Sequence, residues 1–225
     1  VAIKLYIALI WRCAAPPFDT EIPYRKWAAL LSLDDPDGAG VKRISEAFKT
    51  LEAERLVTIT HNPGLSPTIT LREESGSGAN YSLPSSAYVA GGKDRDRHLY
   101  FKIPTRLWTS GKIQLLSAPA VAVLLAVLAT QEAPGKEVWW SVNFFDDQFG
   151  LRPATRARGT RELVDEDLLK VRKTRVGESN FSTRDFSRER VRNVYRLVGP
   201  AGPVPPRKKP RKALSQRAAG VRNEK

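Results

Sequence analysis

Four arginines, Arg152, Arg156, Arg158 and Arg161, crowd one short stretch with Thr155 among them, and the acids Glu162, Asp165, Glu166 and Asp167 follow at once. A guanidinium suits phosphate oxygens and base edges because its planar fork donates parallel hydrogen bonds. Cations first and acids last reverses what a helix dipole prefers, at about 0.3–1 kcal/mol per misplaced charge. A helix that keeps this order implies an anionic ligand at its N-terminal end; a solvated charged face is the plain alternative. Reaction chemistry has less to build on. His61 and His98 lack metal-ligand spacing, and Cys13 is expected to be a small buried hydrophobe rather than a nucleophile. Asp146 and Asp147 are neighbours that cannot share a helix face, and no phosphate-cradling glycine loop is present. The expectation is a non-enzymatic protein without cofactor or metal.

The elements that would hold those arginines can be read from periodicity. Val142, Phe145 and Phe149 are spaced by three and four, predicting a short helix that stops at Gly150, where positive φ permits a tight turn. Pro153 suits the first turn of the next helix, and Leu168 with Leu169 closes it. LKVRKTRV from Leu169 to Val176 alternates as a strand does, and RVRNVYRL from Arg190 to Leu197 alternates again after a loop. In this order of helix, turn, helix, strand, loop and strand, the segment GLRPATRARGTRELVDEDLL from Gly150 to Leu169 resembles the winged-helix DNA-binding superfamily. It looks like that family's turn, recognition helix and closing apolar pair, and it departs at Arg156 and Thr160, where the family has apolar side chains. The resemblance implies a recognition helix entering a major groove by its N-terminal residues, with the strand loop as a wing. Arg188, Arg190, Arg192 and Arg196 would then flank the wing and reach backbone or minor groove, with Lys170 and Arg172 of the preceding strand as further DNA contacts. An exposed strand face kept from edge pairing by its charge is an equally open reading of those residues.

The N-terminal third follows the same order. Ile3, Ile7, Ile10 and Ala14 form one helical stripe, a short extended piece spans 19–22, and a second helix covers 24–33. DDPDGAG is a turn by composition, a third helix covers 41–55, and Val57 to Thr60 and Thr68 to Leu71 form a hairpin. This third also resembles a winged helix, with Lys42, Arg43 and Lys49 as its candidate DNA contacts. LEAERLVTIT from Leu51 aligns without gaps over LVDEDLLKVR from Leu163, an offset of 112 residues that argues for an internal repeat. The expected fold is therefore α+β, two winged-helix domains in tandem at 1–72 and 98–198, joined by a Ser/Gly-rich linker at 73–97. From His98, LYFKIP alternates with Leu99, Phe101 and Ile103 on one side, and the nearly all-apolar run from Ala118 reads as a buried central helix with Ser117 as its N-cap.

Charge separates the regions. The 225 residues carry a net +13, of which residues 1–90 contribute −1, 91–199 contribute +7 and 200–225 contribute +7. The last stretch, 199–225, is expected to be a disordered basic tail whose Arg207, Lys208, Lys209, Arg211 and Lys212 hold phosphates non-specifically. One cysteine excludes an internal disulfide framework, and the longest apolar run is shorter than the about 20 residues a bilayer span needs. No signal peptide is apparent, so a cytoplasmic protein without a membrane partner is expected. The chain has no Met and opens inside an apolar pattern, so residues ahead of Val1 are expected.

Double-stranded DNA is the expected partner, with a homodimer as the other association the sequence allows. Tandem winged helices look like plasmid replication initiators, which implies one domain for dimer contacts and one for repeated DNA sites; single-copy transcriptional regulators share the local motif. The alternative of a different class is a protein-interaction scaffold, since the first domain is not basic. Gel mobility with mixed-sequence duplex DNA separates them. At micromolar protein and below about 0.1 M salt, retardation is expected from phosphate contacts alone, and an unshifted band would remove DNA binding.

Overall fold

A computed structural model describes residues 1–93, 98–141, 144–175 and 191–203. Its mixed α and β elements build two small antiparallel sheets. In the first half, α1 (Ala2–Arg12), β1 (Asp19–Thr20), α2 (Tyr24–Leu30) and α3 (Ala39–Ala53) lead into the hairpin β2 (Val57–Thr60) and β3 (Thr68–Leu71), followed by α4 (Pro84–Ala90). In the second half, the short α5 (Arg106–Thr109) and α6 (Lys112–Leu115) precede α7 (Ala118–Thr130), β4 (Val138–Trp139), α8 (Phe144–Phe149) and α9 (Pro153–Asp165). Then come β5 (Leu169–Arg175), β6 (Val191–Leu197) and a single 3-10 turn at Gly199–Ala201.

The sheets share one topology. β3 lies between β1 and β2, as β6 lies between β4 and β5. Val57 pairs with Leu71 at one ladder's end and Leu169 with Leu197 at the other's. The 112-residue offset extends to the backbone where each long helix ends. Arg55 and Asp167 are both left-handed, at φ 57° and 55°. The Leu56 amide donates to the Leu51 carbonyl at 2.9 Å, as Leu168 does to Leu163 at 2.9 Å, while Arg55 donates to Glu52 and Asp167 to Val164. This is the six-to-one and five-to-two closure of a Schellman motif, whose apolar contact accounts for a leucine five residues after a leucine. Glycine usually occupies the left-handed position; here two ordinary residues do.

Each half has its own core. Trp27 and Phe48 meet edge to face at 6.5 Å in the first, and Trp140 packs on Phe145 at 4.5 Å and on Tyr195 at 4.8 Å in the second. The single stripe expected on α1 is corrected. Leu5, Ala8, Leu9 and Cys13 enter the first core, while Ile7, with Ile3 beside it, enters the second. A helix with two apolar faces is wedged between the halves, and Lys4 Nζ donates to the Gln114 carbonyl at 2.7 Å across the junction. Trp108 packs against both cores.

Within the stretch read as a linker, Arg72 bridges to Asn80, Glu73 N–H donates to the Ala79 carbonyl at 3.0 Å, and Tyr81 is buried edge-on to Phe18. The Ser/Gly composition there builds a closed turn, with Ser75 and Ser77 donating to the Glu73 carboxylate. The alternation from Leu99 to Ile103 does not make a strand. Leu99 and Phe101 are exposed and only Ile103 reaches the second core, because alternation supplies one apolar side but no hydrogen-bonding neighbour. Among the described residues no helix is long and apolar enough to cross a membrane.

The position of α9 is set by its crossing of α7. A Cβ built on buried Gly159 would lie 2.7 Å from the Pro119 carbonyl carbon and 3.0 Å from the Ala120 amide nitrogen, both backbone atoms that cannot swing aside. Gly159→Ala should therefore push the two helices apart and cost about 1–3 kcal/mol, although alanine has the better helix propensity; urea denaturation of the pair of proteins measures it.

Candidate nucleic-acid interface

Because α9 turns its glycine toward α7, the opposite side carries its cations. Gly159 and Leu163 are buried, Thr155, Arg156, Thr160, Glu162 and Glu166 are half-buried, and Ala154, Ala157, Arg158, Arg161 and Asp165 are exposed. Arg158 and Arg161 are one turn apart and share the open face, between alanines too small to hold a ligand away from the helix. Arg152 precedes the helix at the N-cap position, where no side chain accepts from the first-turn amides. The first turn therefore presents unpaired N–H groups and a guanidinium together. Arg152, Arg158 and Arg161 make no ion pair among the described residues.

Arg156 is placed differently. Its guanidinium lies over the Phe145 ring, 5.3 Å from the centroid, and covers the second core at a position where α3 has the buried Ile44. Thr160 likewise stands where α3 has Phe48. The close crossing at Gly159 leaves less volume to fill, and the Arg156 stem with Phe145 supplies what packing remains.

Two of the four acids that follow the arginines, Glu162 and Glu166, are committed to the scaffold, while Asp165 and Asp167 are exposed. Glu162 accepts from the Ser117 amide at 2.5 Å and from the Ser117 hydroxyl, at the start of α7. Ser117 Oγ in turn accepts from Ala120 N–H at 3.4 Å. Glu166 pairs with Lys112 at 2.7 Å. Spaced by four residues, these carboxylates lie on the inner side of α9, so that Asp165, one turn after Arg161, is the acid on the face that Arg158 and Arg161 share.

The corresponding helix of the first half is arranged otherwise. At the offset of 112, Glu46 and Lys49 stand where α9 has Arg158 and Arg161, and they pair with each other at 2.8 Å. Lys42 and Arg43 are exposed, with Arg43 near enough to Lys4 to add to the burial that lowers the Lys4 ammonium pKa.

The second sheet carries the remaining cations. Lys170 and Arg196 are direct cross-strand partners, and both are exposed. Arg172 holds Glu137 through two bonds of 3.0 and 2.6 Å, which keep that carboxyl below its ordinary range. Arg192 lies 4.3 Å from the centroid of Trp139. Trp139 went unread in the sequence as a surface residue; its signal was the pair Trp139-Trp140, since adjacent strand residues must face opposite ways and only one can enter the core. Arg188, Arg190, Arg207, Lys208, Lys209, Arg211, Lys212 and Val142 lie outside the described residues. Cys13 is buried, and burial pushes its thiol pKa up to about 11. No protein-family model, curated protein or solved structure matches the chain.

Glu162 links the cation-bearing helix to the start of α7. Glu162→Ala should leave the Ser117 amide and hydroxyl without their carboxylate and cost about 1–3 kcal/mol in urea denaturation, a loss that Arg158→Ala on the opposite face should not share.

Proposed function

We propose that this chain is a non-enzymatic, double-stranded DNA-binding protein of tandem winged-helix type, with α9 as the helix that enters the major groove. It would act as a transcriptional regulator or a replication initiator of the plasmid kind, in the cytoplasm. The observation that carries this reading is the division of charge on α9. Arg158 and Arg161 stand exposed and unpaired among the described residues, while Glu162 and Glu166 are tied to Ser117 and Lys112. Arg152, beside the uncapped first-turn amides, opposes the helix dipole when the protein is alone and becomes favourable against phosphate. Arg158 with Thr155 one turn earlier is assigned to the groove floor, and Arg152 and Arg161 to phosphates. Arg156, over Phe145, is assigned to the rim.

The first half is proposed to serve association between copies, since its Glu46–Lys49 pair neutralises the face that α9 leaves charged. A protein-interaction scaffold is favoured by one other observation. Val89, Leu99, Tyr100 and Phe101 are exposed around the contact of Tyr88 with Tyr100.

Selection of bound duplexes followed by titration tests the assignment. Arg158→Ala should cost about 1–3 kcal/mol on the selected site and less on random duplex, and Arg161→Ala should weaken both alike and reduce the salt slope by about one. Unchanged binding after both substitutions would remove α9 as the reading helix.

A further inference from the structure

The two sheets share strand order and register, so each position on one has a counterpart on the other. Cross-strand partners lie on the same face of a sheet. Away from the core, the first sheet presents Thr58 opposite Thr70 and Thr60 opposite Thr68, with Asp19 on the third strand and Glu21 accepting from Thr68 Oγ1 at 3.0 Å. At the matching places the second sheet presents Lys170 opposite Arg196 and Arg172 opposite the buried Val194, with Trp139 on the third strand and Glu137 just ahead of it. A threonine-lined face in one half, with Asp19, Glu21 and an Arg72 that donates to Thr58 at 2.8 Å, is thus a basic, tryptophan-bearing face in the other, on the same backbone.

This second face is held in a state costly to the protein by itself. Lys170 and Arg196 are like charges directly opposite each other, an arrangement that destabilises a ladder. Arg172 and Arg196 both act on Glu137. Trp139 remains 53% exposed, although the Arg192 guanidinium lies over its ring, and Arg192 Nε has no hydrogen-bond partner among the described residues. Cations in excess call for a polyanion, and an open indole beside them calls for a polyanion that carries flat rings. Paired bases of a duplex are stacked on their neighbours and cannot reach a sheet surface, whereas unpaired bases can.

We infer that the outer face of the second sheet binds single-stranded nucleic acid, with an unpaired base stacked on Trp139 and phosphates held by Lys170, Arg196 and Arg192. Successive residues on one face of a strand are about 7 Å apart and neighbouring strands about 4.8 Å apart, so the face has room for about two or three nucleotides. The site is distinct from the duplex-reading face of α9 and does not require it.

Fluorescence anisotropy of labelled twelve-nucleotide oligo(dT) and oligo(rU) with the full chain, beside a mixed-sequence duplex, tests the inference. Binding of either single strand is expected. Trp139→Glu, which installs the residue found at the matching place in the first half, should lower that affinity about tenfold or more and leave the duplex unaffected within about twofold. Lys170→Thr with Arg196→Thr should flatten the single-strand salt slope by about 1.4 and at the same time raise the melting temperature, because a repulsive pair is removed. Arg158→Ala with Arg161→Ala should show the reverse pattern, losing duplex and keeping the single strand. Trp139-dependent single-strand binding without any duplex binding would overturn the reading of α9 and leave this one standing. The inference is overturned if neither oligonucleotide binds or the Trp139 and Lys170/Arg196 variants bind single strands like the parent. It is equally overturned if Trp139→Glu weakens the duplex as much, or if polyglutamate competes charge for charge.

Discussion

The contact between α9 and the first turn of α7 governs the second half of the molecule. Gly159 lets the two backbones meet without a side chain between them, and one turn further on Glu162 reaches the Ser117 amide and hydroxyl. A carboxylate at a helix N-terminus is favourable both as a hydrogen-bond acceptor and as a charge. The same crossing orients every other residue of α9. Once Gly159 and Leu163 point inward, Arg158 and Arg161 must point outward, and Arg156 must fall at the boundary over Phe145. The cationic face is in this sense a consequence of a glycine.

A second constraint joins the halves. α1 divides its apolar residues between two cores, with Leu5 and Leu9 in one and Ile7 in the other, and Trp108 packs against both. The two cores are thereby joined through a shared helix. This fixes the direction in which the α9 face looks relative to α3 and its Glu46–Lys49 pair.

On that common strand order the two halves differ in charge. Both end their long helix with the same closure around a left-handed residue, and both order their three strands alike. What differs is which side chains occupy the solvent-facing positions. Surface substitutions away from the core usually change stability little, so solvent-facing side chains can differ between the halves while the elements beneath them keep one order.

How much of this was legible in the sequence depends on the range of the forces involved. The hairpin at Val57–Thr60 and Thr68–Leu71, the helix beginning at Ala118, its Ser117 cap and the turn at Gly150 are local, set by periodicity and by residues a few positions apart, and the sequence determined them. The offset of 112 was legible too, because the leucine spacing it rests on is dictated by helix closure. Tertiary structure alone decided the rest. The division of α1 between two cores, the burial of Tyr81 beside Phe18 and the failure of Leu99 and Phe101 to find a strand each depend on partners distant in the chain. For the candidate interface, the sequence supplied arginines but not their neighbours. Whether a guanidinium is free, stacked on Phe145 or laid over Trp139 is settled by which element packs opposite it, and no spacing of charges along one helix or strand encodes that.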